Sequence, residues 1–297
     1  MWLELQIFGF RGLWSPYYML FVLALGIAYY LITVTFRNKK ESVPSGIQFL
    51  YFYTGLLLLY VVKGSPVDLL SHIMFTSHML QMALYYLVFP ILIIKGVPIW
   101  IWRKIFNFPV LDKVLAILTK PLIALLLFNG LFSMYHIPSI FDFTKANGLS
   151  HTIITTIILV TAFLMWWPIF TPLKEMDKLS PLLKIGYIFA NGVLITPACG
   201  LIIFSQESLY ATYSESTGWI QALSLCVPID VLNGLSLTGP EMFSPLPIIE
   251  DQQLGGILMK ITQEIVYGMV LSSVFFPWFR KGSGKVDPLP VTRPNNS

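Results

Sequence analysis

Residues 15–36, SPYYMLFVLALGIAYYLITVTF, contain no charged residue and no histidine, and they are followed at once by Arg37, Lys39 and Lys40. At 1.5 Å per residue such a stretch spans about 30 Å, the thickness of a bilayer's hydrocarbon core. It is longer than the apolar region of a secretory leader, and no small-residue cleavage site follows, so it reads as a retained anchor. Six further windows approach this length: 46–63, 72–94, 115–135, 151–170, 182–204 and 254–279. The second is short. The fourth requires Lys120 to snorkel at its start, with Pro121 in its first turns.

Composition agrees with this reading. Of 297 residues, 56% are hydrophobic and 11% charged, and the mean hydropathy is +0.72. Such a chain is too apolar to fill and cover a water-soluble domain. The expectation is an all-α, polytopic membrane bundle: one seven-span domain over residues 1–280, then a disordered cytoplasmic tail over 281–297, rich in Gly, Pro, Ser and Asn. Nothing indicates an internal repeat. The cluster Trp166-Trp167-Pro168 reads as part of an interfacial aromatic belt. Cys199 and Cys226 are far apart and lack CxxC spacing, so they read as small packing residues.

Lysine and arginine set the expected orientation. The sets after the first, third, fifth and seventh windows, together with the tail, hold 15 of the 19 basic residues. Arg11, Lys63, Lys145 and Lys260 fall to the other side. The positive-inside rule then places the amino terminus outside and the carboxyl terminus in the cytoplasm. A net charge of +4 is therefore a topology signal first, and nucleic acid is not an expected partner. The longest loop, 205–253, has no Lys or Arg, which suits an outer location. Within it the apolar run Trp219 to Leu232 is too short to span, is interrupted by Pro228, and reads as an interfacial helix or a lid.

On this orientation all four histidines lie at the outer ends of the helices. His72 and His78 open the third window, His136 closes the fourth and His151 opens the fifth. Met74, Met79 and Met82 accompany them on the third window, with Met134, Met242 and Met259 nearby. Helical spacing of four puts Met74, His78 and Met82 on one stripe, while Met79 points elsewhere. Imidazole with thioether favours copper, particularly Cu(I), over magnesium or calcium. Against this stands the simpler reading that interfacial histidines are hydrogen-bonded and methionine stripes are packing. Polar residues inside a membrane are costly and tend to mark function. Asp68, Asp142, Asp230, Glu250 and Asp251 add carboxylates to the same face. Asp251, at the start of the seventh window, suits either a helix cap or a group behind a ligating imidazole.

The ordered motifs His78-Met79-Leu80-Gln81-Met82, Pro90, Gly96-Val97-Pro98, His136-Ile137-Pro138, His151, Trp166-Trp167-Pro168 and Asp251-Gln252 with Gly255-Gly256 resemble the CtaG family of cytochrome c oxidase assembly factors. The resemblance covers nearly the whole chain and is clearest from the third window to the seventh. It implies a multi-pass plasma-membrane protein, not an enzyme, that helps copper reach a caa(3)-type cytochrome c oxidase, with the oxidase subunits as partners. Position by position it points to His78, His136, His151, Asp251 and Gln252, and less directly to His72. Where the family pattern carries a second histidine, this chain has Met82, which would make the site softer or remove a ligand. The expected metal set is therefore His78, Met82, His136, His151, Asp251, Met74, His72 and Met79.

Three other classes compete. A zinc-dependent membrane hydrolase would use the histidines as ligands and Asp251 or Asp142 as general base, although no HExxH is present. A haem-binding electron carrier would need facing histidines such as His136 and His151. A scaffold would bind only protein.

Overall fold

The chain is described as a computed structural model covering residues 2–283 apart from Ser236, Thr238 and Pro245. Among the described residues there is no strand. After short helical turns from Trp2 to Leu13, helix α1 (Pro16–Tyr30) continues through a π-turn at Leu31–Thr35. Helix α2 (Gly46–Gly64) begins at a capping box: Ser45 N–H donates to the Gln48 side chain at 2.9 Å, and Gln48 N–H returns to Ser45 Oγ at 3.4 Å. Ser65 then caps the short α3 (Pro66–Ile73), whose proline needs no N–H partner in the first turn.

The next helix, α4 (Phe75–Gly96), carries Pro90, which cannot donate to the Tyr86 carbonyl. The helix widens into a π-turn at Leu84–Val88, and the Trp166 indole N–H donates to that carbonyl at 3.3 Å. Trp166 is therefore a buried structural donor, and Trp167 is buried as well, stacked on Phe106 at 4.6 Å. Both belong to the core and not to an interfacial belt, because a kinked neighbour claims the first and an aromatic stack the second.

Helices α5 (Ile99–Phe106) and α6 (Pro109–Leu118) follow, then α7 (Pro121–Tyr135). The expected straight span over 115–135 is bent by 79° at the Thr119-Lys120 break, because Pro121 starts a new helix. None of the residues of α6 is buried. Helix α8 (Pro138–Lys145) is short; α9 (Gly148–Phe170) starts on an Asn147 cap, with Leu149 N–H at 2.9 Å and Ser150 N–H at 3.1 Å. Then come α10 (Pro181–Phe204), the small α11 (Ala211–Ser214) and α12 (Ser216–Leu223), and the long α13 (Ile248–Ser283). Among the described residues, six helical segments are long and apolar enough to cross a membrane, or seven if the bent pair α6–α7 is one span. Helix α13 continues three residues into the stretch expected to be a disordered tail; residues 284–297 lie outside the described residues.

The main core joins α4, α7, α9, α10 and α13 through Met79, Phe128, Phe132, Met165, Ile195 and Met259, all buried. Cys199 packs there as a free thiol. A second cluster sits at the histidine end, where Trp219 of α12 is fully buried with Phe8, Leu69, Ile73 and Phe243. The apolar run 219–232 packs its Trp219, Leu223, Val227 and Leu232 side chains into this cluster and so covers the histidine end. Helices α4 and α13 touch closely because a side chain at Gly255 would come within 3.1 Å of the Phe75 carbonyl oxygen and the Thr76 Cα. That contact brings Asp251 to the start of α4.

Candidate functional site

The chamber is built where α3, α4, α7, α8 and α9 end together under the α11–α12 lid. The third window is not one helix. Met74 has an extended backbone (φ −126°, ψ 134°), which separates α3 from α4. The break is stable because its exposed N–H groups are satisfied from far along the chain: Asp251 Oδ2 accepts from Phe75 N–H at 2.7 Å and Oδ1 from Thr76 N–H at 3.3 Å. Asp251 is thus a helix cap, but for α4 and not for its own helix. Asp142 does the same for the lid, accepting from the N–H groups of Ala211 (3.1 Å) and Thr212 (3.0 Å) and from the Thr212 hydroxyl (2.7 Å). Asp68 accepts from Gln81 Nε2 at 2.8 Å and pairs with Lys63 at 3.4 Å, tying α3 to α4.

Gln252 holds the loop before the lid. Its Oε1 accepts from Leu209 N–H at 2.8 Å and its Nε2 donates to the Glu207 carbonyl at 3.3 Å. The loop then drops two tyrosines onto the chamber. Tyr210 donates to the His136 carbonyl at 2.9 Å, and Tyr213 to the Ser71 carbonyl at 2.6 Å.

Inside, the four histidines form two pairs. His78 and His136 have ring centroids 6.4 Å apart, and His72 and His151 5.9 Å apart. His78 is 1% exposed, and neither ring nitrogen has a hydrogen-bond partner among the described residues. Its surroundings are aromatic: Phe141 at 5.2 Å, Phe75 at 5.9 Å, Tyr135 at 6.2 Å and Tyr213 at 6.3 Å. His136 Nδ1 lies 2.7 Å from the Phe132 carbonyl, so it carries the proton, and Nε2 is left as an unpartnered lone pair. His151 Nδ1 is also unpartnered.

Burial keeps the imidazoles outside the spans neutral. It lowers His136 to about 4, only partly opposed by the Phe132 carbonyl, and holds His72 well below its ordinary value, with Lys145 acting in the same direction. The consequence is a pH-dependent stability. A histidine neutral when folded but able to protonate when unfolded at 6.5 leaves stability intact above pH 6.5 and removes it as pH falls towards 4. For His136 alone the loss is about 3 kcal/mol at 1.36 kcal/mol per pH unit. The thermal midpoint in detergent is expected to fall across that window, and His136→Gln to flatten the fall; an unchanged profile in the variant counts against this origin.

Lys145 is the residue that sequence reading missed. Counted as a loop cation, it is 1% exposed, with Nζ 3.3 Å from His72 Nδ1 and 5.8 Å from the Phe141 ring centroid. The available signal was position: the short α8 lies between His136 and His151 in sequence, so Lys145 at its end is held at the histidine end of the bundle, where it meets His72.

The structure brings together the four histidines of the expected set, keeps Met82 one turn after His78 on α4, and gives Met74 and Asp251 other neighbours. Met74 leaves the stripe because its backbone is the extended break, and it packs with the amino-terminal cluster. Met79 and Met82 are core residues, and Asp251 is consumed as a cap. Among the described residues, no three His, Cys, Asp or Glu side chains are grouped so as to hold a metal ion. What the chamber offers, among the described residues, is unpartnered ring nitrogens on His78, His136 and His151, a donor set suited to copper or zinc.

Comparison with curated proteins and with solved structures returns no match. The family model described as cytochrome c oxidase caa3 assembly factor (Caa3_CtaG) matches residues 27–281, which take in every histidine, the lid and both long-range carboxylate caps. This chain belongs to the caa3 cytochrome c oxidase assembly factor family.

Proposed function

We propose that this assembly factor holds copper transiently in the histidine chamber and passes it to the caa(3)-type oxidase. In this reading it is a seven-span plasma-membrane protein with the amino terminus outside, so that the chamber opens to the outer leaflet. The carrying observation is His78, fully buried with both nitrogens unpartnered and 6.4 Å from His136, whose Nε2 is free. Leaving a buried polar atom unpaired costs about 1–3 kcal/mol, and a bound cation would recover that cost at the lone-pair nitrogens of His78 and His136. Two neutral imidazoles suit Cu(I), which accepts few ligands, and so small a set leaves the ion exchangeable. The chain's own contribution is to keep the nitrogens unprotonated, the walls aromatic and the lid closed through Tyr210 and Tyr213.

A zinc hydrolase is the weaker reading. It needs a carboxylate to activate water, and Asp142 and Asp251 both spend their oxygens on backbone N–H groups. Metal analysis of detergent-purified protein separates the two. Wild type is expected to carry copper, and the His78→Ala, His136→Ala double variant to lose most of it, together with oxidase activity, while remaining folded by circular dichroism. Copper content equal in both proteins would sink the proposal, and zinc in its place would favour the hydrolase.

A further inference from the structure

Helix α13 carries an ion pair where the surrounding solvent should be lipid. Lys260 Nζ lies 2.8 Å from Glu264 Oε1 and donates also to Thr196 Oγ1 and Gln263 Oε1, each at 3.0 Å. Its ammonium is therefore satisfied. Glu264 is not: Oε1 takes the lysine and a 3.4 Å contact from Gln263, Oε2 has no partner among the described residues, and the side chain is 61% exposed. Depth can be read along the helix. Gln253 binds the Ser205 carbonyl at the end of α10, and Glu264 lies about 16 Å further on at 1.5 Å per residue, near the middle of a hydrocarbon layer of about 30 Å.

The exposed oxygen opens into a groove of about 620 Å³ between α10 and α13. Gly186, Phe189 and Val193 form one wall, Glu264, Gly268 and Leu271 the other. A side chain built at Gly186 or Gly268 would meet nothing within 4 Å, so neither glycine is needed for packing inside this chain. Small residues lining a groove let a second helix backbone approach closely. Lipid tails carry no hydrogen-bond donor at this depth, and a headgroup cannot reach it. Backbone that crosses lipid must itself be helical.

We infer that the α10–α13 groove is the docking site for a transmembrane helix of an oxidase subunit, one that presents small residues to Gly186 and Gly268 and a neutral donor such as Ser, Thr, Asn or Gln to Glu264 Oε2. The donor is neutral because Lys260 already balances the carboxylate. The inference rests on the family's assembly role and is independent of copper.

The test places a photo-crosslinking phenylalanine at Phe189, 74% exposed in the groove, in cells that make the caa3-type oxidase, with Leu122 of α7 as the control position. A product joining position 189 to a transmembrane segment of an oxidase subunit is expected, with none from position 122. Glu264→Ala should lower its yield about tenfold, the factor that 1.4 kcal/mol of intramembrane hydrogen bonding supplies, and Glu264→Gln, which keeps an acceptor, should restore much of it. Products joining only two copies of this chain, lipid adducts alone, or a yield indifferent to Glu264→Ala would each overturn the inference. Copper content is expected to be unchanged in the Glu264 variants, so failure here and failure of the copper reading are separate results.

Discussion

Asp251→Ala is expected to cost about 3 kcal/mol of stability and to fray the first turn of α4, seen as a lower thermal midpoint in detergent and faster amide exchange at Phe75 and Thr76. The carboxylate is 6% exposed and bridges α13 to α4 through two backbone N–H groups. Hydrogen bonds to a charged acceptor contribute about 1.5–3 kcal/mol, and removing the acceptor leaves the buried Phe75 N–H and the half-buried Thr76 N–H unpaired. The Thr76 hydroxyl bond to the Asp251 carbonyl, 2.8 Å, survives the substitution and limits the loss. Asp251→Asn keeps one acceptor oxygen and should recover about half. The pair of variants also separates cap from ligand. If Asp251 serves only to place α4, Asn restores copper content in step with stability. Loss of copper in the Asn variant at near-normal stability would instead make the carboxylate a direct ligand.

That residue also shows what could be read from the chain alone. Hydropathy and length locate the spans because a bilayer imposes one requirement on every crossing segment: enough apolar residues to cover about 30 Å. The break at Met74 carries no such local mark. It exists because a carboxylate 176 positions away satisfies the N–H groups of the new helix, an interaction between α4 and α13 that neither segment encodes by itself. Placing His72 and His78 on one helix, and Met74 on a stripe with His78 and Met82, follows from missing that break. The bend before α7 did have a mark, Pro121, which starts a helix more readily than it continues one. Clustering of the histidines was legible because four polar residues in an apolar chain share one end of the bundle. Their division into two pairs was not, since it depends on how α3 and α8 pack against the spans. The seventh window shows the same limit for charge: Lys260 counts as an outer-side cation in the topology sum, and once placed it is paired with Glu264 one turn along α13.

Lys145→Met should stabilise the protein near neutral pH by about 2–4 kcal/mol and remove most of the rise in thermal midpoint expected of wild type between pH 7 and pH 10. Lys145 is buried without a carboxylate contact among the described residues; burial lowers its pKa from 10.5 to about 7, with Lys63 adding to the shift and Asp68 opposing it. The direction follows from proton counting. Between pH 7 and 10.5 the unfolded chain holds a proton at this position that the folded chain has shed. Unfolding therefore takes up a proton, and raising the pH disfavours it. Below pH 7 both states are protonated and the full penalty of the buried ammonium applies, about 5 kcal/mol at 1.36 kcal/mol per pH unit. Methionine fills similar space without charge; the lost hydrogen bond to His72 Nδ1, 3.3 Å long, returns about 1 kcal/mol of the gain. The substitution also bears on the chamber. With its Nδ1 lone pair engaged by Lys145, His72 offers no free lone pair once its other nitrogen carries the proton, and an ammonium beside the pair repels any bound cation. On the copper reading, Lys145→Met should therefore raise copper retention during dialysis against a chelator at pH 6.5, while Lys145→Arg, which keeps the charge, should not. A Lys145→Met protein that is no more stable than wild type at pH 7, or whose midpoint still climbs between pH 7 and 10, would place the origin of the pH response elsewhere.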